Sequence, residues 1–310
     1  MRITTNMMTS SFLANLNNNL TAMQNYQTQL SSGKRITKLS DDPVGVLGSM
    51  NARVKLARLE QYKENVGSAQ DILKQTEAAL KEINKMLQTA YERAVQTTSD
   101  TYSEEDRAAT SAEIAQLKKH ILNLGNTKVA NQYIFGGYNS SKAPFTLDAS
   151  GNLLYNGLDV TVNNAALQDQ ATQNTSIELG YDVTMTATIN GIELLGSGTN
   201  NIYNLFQEFD TALSGGATSN DLSAFIERFQ IAQSDVMART AEIGARNNRL
   251  TMMENRYEDD EINYTDIKSK VEDADQAEVI MRYKMAEAVY LFALKIGSNI
   301  IQPTLVDYLK

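Results

Sequence analysis

The sequence has no cysteine and no tryptophan, and only one histidine and three prolines in 310 residues. Without cysteine there is no disulfide framework, thiol nucleophile or zinc–thiolate site, and the redox compartment is left open. The one histidine, His120, stands beside Lys118 and Lys119. It lacks the partners of a catalytic triad or metal site and reads as a solvated surface residue. No cofactor, no metal and no enzymatic activity are expected. Positive charge is also scarce: 28 Lys and Arg face 37 Asp and Glu, for a net charge of −9. A surface that must neutralise phosphates has the opposite balance, so neither nucleic acid nor an anionic membrane is an expected partner. No apolar run is long enough to span a bilayer. The opening MRITTNMMTSSFLANL has neither the continuous apolar core nor the small-residue cleavage site of a secretory signal peptide. Export by a specialised route with an uncleaved signal stays open.

What the chain does have is period. Leu13, Leu16, Leu20, Met23 and Leu30 recur at steps of three and four, with Gln27 in the missing slot, an a/d heptad stripe. Its flanks are rich in asparagine, a mediocre helix former, so this helix needs a partner. A joint follows, in which Gly33 suits a helix C-cap, Asp41 and Asp42 suit a cap, and Pro43 suits the first turn of a new helix. Asp41 and Asp42 could also be drawn as an acid–base pair, but capping is the simpler reading. The heptad resumes from Leu59 through Tyr62, Val66, Ala69, Leu73, Thr76, Leu80, Ile83, Leu87, Ala90 and Ala94, predicting a helix over about 43–98.

Ser103 with Asp106 has the form of a capping signal for a second helix running to about residue 131. Residues 133–195 then turn poor in charge and rich in Thr, Val and Ile, with Asn156-Gly157 and Asn190-Gly191 as hairpin signals, so an antiparallel β-rich insert is expected. A short helix is predicted over about 201–213, and a long one from near residue 221. The acidic run Glu258-Asp259-Asp260-Glu261 lacks the spacing and turn glycine of a calcium loop and reads as a solvated face. A weaker stretch follows it before a last helix over about 277–301, which Pro303 stops. Gly136-Gly137 has no following Lys-Ser/Thr and is a turn rather than a phosphate loop.

The fold class expected is mainly α with a β-rich insert: an elongated antiparallel helical bundle or coiled-coil rod built from both chain ends, with an outer β domain. The domains would nest as 1–42 with 262–310 (terminal helical assembly), 43–140 with 217–261 (helical rod) and 141–216 (outer insert). The last helix carries apolar residues around most of its circumference, among them Ile280, Tyr283, Tyr290, Leu294, Ile300 and Ile301, with Leu305 and Leu309 beyond. Such a helix must be buried on several sides at once. Pairing with the first helix covers one side, so the termini are expected to order on assembly with neighbouring copies.

Leu30-Ser31-Ser32-Gly33-Lys34-Arg35-Ile36 and Asp41-Asp42-Pro43-Val44-Gly45 resemble the N-terminal signature of the flagellins and their hook-associated relatives. Ala78-Ala79-Leu80-Lys81-Glu82-Ile83-Asn84, Glu92-Arg93-Ala94-Val95-Gln96 and Tyr133-Ile134-Phe135-Gly136-Gly137 extend the likeness. At the other end Asp273-Ala274-Asp275 and Ile300-Ile301-Gln302-Pro303-Thr304-Leu305-Val306-Asp307-Tyr308-Leu309 are similar to the family's terminal helix. The Asp-Asp-Pro form at 41–43, Ala143-Pro144-Phe145 and the ending from Pro303 resemble the hook-associated junction branch rather than filament flagellin. Leu39 stands where a proline is common, and Thr304 and Val306 where Ser and Leu are usual. The resemblance implies a secreted, extracellular flagellar subunit exported by the flagellar type III route, with a chaperone at its C-terminal region. About eleven copies would form a ring between a second junction protein on the hook side and flagellin on the filament side. The competing readings are filament flagellin itself and a non-flagellar coiled-coil binding protein, which would be a folded monomer with helical ends.

Overall fold

A computed structural model of the chain describes residues 5–99, 103–161 and 165–300. Long helices packed antiparallel dominate it, with small antiparallel sheets between them. The chain divides into two compact units, residues 60–258 and residues 1–59 with 259–310.

The unit 60–258 holds nearly all of the core. Helix α2, Pro43–Thr97, supplies its heptad here: Tyr62 is half-buried, every expected position from Val66 to Ala94 is buried, and the buried Leu59 that opens the stripe falls in the other unit. Thr76, the polar member, returns its hydroxyl to the Ile72 carbonyl at 2.9 Å and so costs little. Helix α3, Glu104–Gly125, starts with a capping box in which Ser103 and Asp106 cap one another's backbone N–H. It does not run to residue 131. A Cβ on Gly125 would sit 2.6 Å from the Phe145 ring, and the Asn126 side chain brackets the Phe145 backbone at 2.9 and 3.0 Å. The chain is thereby turned into strands β1 (Lys128–Val129) and β2 (Gln132–Tyr133), joined by Ala130 and Asn131 at positive φ.

A three-stranded sheet follows in the order β3 (Phe145–Leu147), β4 (Leu153–Tyr155), β5 (Leu158–Asp159). Asn156 and Gly157, at φ 49° and 86°, make the hairpin turn between β4 and β5 that their sequence signalled. Asn190-Gly191 does not make the second. After helix α4 (Ala165–Ala171), the β6 (Ser176–Gly180) and β7 (Val183–Thr186) hairpin turns at Tyr181-Asp182. Asn190 instead caps helix α5 (Gly191–Leu195), its side chain accepting from the Glu193 N–H. Asparagine serves both purposes, and here Gly191 is chosen for closeness: a Cβ would overlap the rings of Tyr155 and Phe145.

Helix α6, Ile202–Ser214, buries Ile202, Leu205, Phe206, Phe209 and Leu213. Phe206 and Phe209 meet Phe229 edge-on at 5.5 and 5.4 Å, an arrangement that suits aromatic quadrupoles. Phe229 belongs to helix α7, Ser219–Glu272. Within this unit α7 runs antiparallel to α2, as Tyr62 with Tyr257, Gln70 with Glu254 and Tyr91 with Gln230 show in turn. The acidic run at 258–261 does not interrupt α7. It carries no proline or glycine, and its charges stay largely in solvent, so the helix continues at little cost.

The unit formed by the chain ends contains α1 (Thr5–Ser32), the start of α2, the end of α7 and α8 (Gln276–Ile300). Its buried apolar residues are Ala52, Leu59, Val279 and Ala286 alone among the described residues. A unit of this size with so little apolar burial lacks the usual driving force for folding.

Candidate assembly interface

Helices α1 and α8 pack antiparallel along a seam. On α1 the half-buried positions Thr9, Phe12, Leu16, Asn19, Met23, Tyr26 and Leu30 follow the heptad steps. On α8 the seam is Val279, Tyr283, Ala286, Tyr290, Ala293 and Gly297. Small residues on α8 admit large ones on α1: the Phe12 ring occupies the place of a side chain on Gly297. Midway, Asn19 donates to the Ala286 carbonyl at 3.1 Å, and further along Tyr26 bonds Arg282.

The residues singled out from the sequence divide between this seam and the opposite faces. Leu16, Met23, Leu30, Tyr283 and Tyr290 lie in the seam, and Leu20 is half-buried beside it. Leu13, Ile280 and Leu294 stand outside it, 44 to 49 % exposed. At alternate contacts the seam takes Phe12, Asn19 and Tyr26 in place of Leu13, Leu20 and Gln27. The side chain of Ile300, and Ile301, Leu305 and Leu309 altogether, lie outside the described residues.

Away from the seam α8 carries a second apolar face. Met281, Met285, Val289, Phe292 and Ile296 are 54 to 67 % exposed, at steps of four, four, three and four. The three–four alternation of the α1 seam drifts in the left-handed sense of a two-helix coiled coil, whereas this spacing drifts in the opposite, right-handed sense along the helix. The first turns of α2 expose Val44, Leu47, Met50 and Val54, with Leu39 just before them. Contiguous apolar surface of this kind on a water-borne protein marks an interaction site.

The joint between α1 and α2 is a polar network. Gly33, at φ 69°, donates to the Gln29 carbonyl at 2.8 Å and ends α1. Asp41 accepts from the backbone of Lys38 and Thr37 at 2.8 and 3.1 Å, which holds its carboxyl below the usual range. Asp42 caps α2 by accepting from the Gly45 N–H at 2.9 Å and from Arg35 at 3.1 Å; the Gly45 N–H, then Arg35, lower its pKa. Pro43 is the first residue of α2, and Gly45 must be small because a Cβ would lie 2.5 Å from the Asp42 carboxylate.

Opposite the joint, the last turn of α7 supplies Glu272, buried to 4 % exposure. Arg53 grips its carboxylate with two bonds of 2.7 Å, Lys34 reaches it at 2.9 Å, and Ser49 donates its hydroxyl. The Arg53 bonds above all, outweighing desolvation, bring the Glu272 pKa from 4.5 to about 2. The backbone repeats the tie: Arg35 N–H donates to the Glu272 carbonyl at 2.7 Å and Ala274 N–H to that of Gly33 at 3.0 Å. Nothing in the heptad pattern marks Glu272; the only sequence signal is a carboxylate at a helix end, which is common.

His120 is half exposed, 3.9 Å from Glu82. Among the described residues no group of three or more His, Cys, Asp or Glu could hold a metal ion, and no helix is long and apolar enough to cross a membrane.

Residues 3–140 match the family model of the bacterial flagellin N-terminal helical region. The matched stretch takes in α1, α2, α3 and the β1–β2 hairpin. Over most of its length the chain is similar to flagellar hook-associated protein 3: the Salmonella typhimurium protein is 26 % identical over 301 residues, covering 93 % of each chain. The flagellar filament 41 kDa core protein of Borreliella burgdorferi is 38 % identical over 128 residues, which is 40 % of this chain and 38 % of that one. In fold, the flagellar junction protein FlgL from Legionella pneumophila superposes with a TM-score of 0.59 at 16 % identity, covering 74 % of this chain and 100 % of that one.

Proposed function

We propose that this chain is the structural subunit of the junction between flagellar hook and filament. About eleven copies form a ring, with a second junction protein on the hook side and flagellin on the filament side. The observation that carries the reading is the near-coreless unit at the chain ends, whose α8 and α2 faces expose apolar side chains that one copy cannot cover. Whole-length similarity to hook-associated protein 3 supplies the flagellar setting. In this reading 1–42 with 262–310 is the assembly domain, 43–140 with 217–261 the helical rod, and 141–216 the outer insert. The subunit leaves the cell by the flagellar type III route, accompanied by a chaperone at its C-terminal region, and its ends order only on assembly. It is a structural protein rather than an enzyme.

A filament subunit is the second reading, favoured by the 38 % identical stretch shared with a filament core protein. Deleting the gene separates the two. Complete hooks with flagellin leaking into the medium support the junction; an intact junction without a filament supports flagellin and overturns it. Circular dichroism and limited proteolysis of the free monomer test the rest: helical, protected ends count against ordering on assembly.

A further inference from the structure

Three segments of the terminal unit converge on one carboxylate. Lys34 comes from the segment after α1, Ser49 and Arg53 from the early turns of α2, and Glu272 from the last turn of α7. Beside these side-chain bonds run the backbone bonds of Arg35 to Glu272 and of Ala274 to Gly33, and that of the Arg35 side chain to the Val271 carbonyl. Apolar packing is thin here: Ala52 is the one buried apolar residue between Pro43 and Arg58, and a cavity of about 170 Å³ lined by Ile36, Leu39, Val46 and Met50 lies beside the network. Where apolar packing is thin, directed charge-assisted bonds decide geometry, because a bidentate Arg–carboxylate pair tolerates only a narrow range of approach.

We propose that Glu272 is a positioning residue for assembly, a latch that fixes the segment after α1 against α2 and α7 so that every copy offers its α1–α8 pair to neighbours at the same orientation. This rests on the ring-subunit reading. The latch is distinct from the apolar faces: they supply the attraction between copies, and Glu272 supplies the common angle that lets the contacts close. Removing its charge strands Lys34 and Arg53 together, which repels them and frees the segment.

Two measurements test it. The chain has no native cysteine, so K38C with K270C, diluted among unlabelled copies in assembled hook–filament preparations, gives a single spin-label pair across the latch. Wild type should give one narrow distance distribution and E272Q a broad one, with R53Q added to E272Q narrowing it again by removing the repulsion. In a deletion strain, E272Q should be secreted at the wild-type amount while attached filaments fall about tenfold and flagellin leaks. An unchanged distance distribution overturns the latch, whatever the deletion strain shows. So do wild-type filament numbers, or a loss of filaments that merely tracks a loss of secreted protein. A deletion strain that still carries filaments tells against the junction reading, while the label pair judges the latch by itself.

Discussion

Phe12 of α1 lies against Gly297 of α8, its ring filling the volume that any side chain at 297 would need. Glycine is therefore required there for approach, although it weakens the helix by about 1 kcal/mol relative to alanine. G297V should force the seam open at that end and abolish incorporation, while secretion continues. F12A added to G297V should restore part of it by vacating the ring volume. Incorporation is read by pelleting hook–filament preparations and blotting for the subunit. Equal incorporation of G297V and wild type would remove the seam from the assembly.

The outer face of α8 makes the complementary case. F292K or M285K places a charge where the single chain has only solvent, so its unfolding should shift within about 0.5 kcal/mol. Assembly should fail, because the same charge would be buried unpaired against a neighbour. Thermal melting and filament counts in complemented cells give the two readouts. Normal filaments with either variant would mean that this face stays exposed in the flagellum.

Leu80, with no exposed surface at the centre of the α2 heptad, belongs to the other kind of site. L80A should destabilise the unit 60–258 by about 2 to 5 kcal/mol, the range for a buried leucine emptied to alanine. Urea unfolding of the whole chain should show the central transition moved to lower denaturant.

Acid should act on the chain ends through Glu272. Its folded pKa of about 2 lies below the ordinary 4.5, so its contribution is complete above pH 4.5 and is lost as pH falls from there toward 2. The shift corresponds to on the order of 3 kcal/mol. Assembled wild-type protein, followed by light scattering during an acid titration, should lose stability across that window. E272Q should be weaker at neutral pH and lack that component of the acid dependence.

Much of this was legible in the residues, because burial and period coincide where a helix has one buried face. The α2 stripe from Leu59 to Ala94 could be read position by position, as could the caps at Ser103, Asp42 and Pro43, whose chemistry is local. The α1 seam was harder. Leu13 and Phe12 are adjacent and both apolar, and sequence alone favours the run of leucines; only the Gly297 gap and the Asn19 bond to Ala286 choose Phe12 and Asn19. Asn190-Gly191 misled for a related reason, since one dipeptide suits both a hairpin turn and a helix cap. Glu272 was beyond reach because its partners lie more than two hundred residues away in sequence.

The two apolar faces of α8 have a practical consequence for anyone surveying variants of this chain. A screen for soluble, heat-resistant protein will favour polar replacements at Met281, Met285, Val289, Phe292 and Ile296, since the isolated molecule gains by hiding them. The sequences it ranks highest would be the ones least able to build a flagellum.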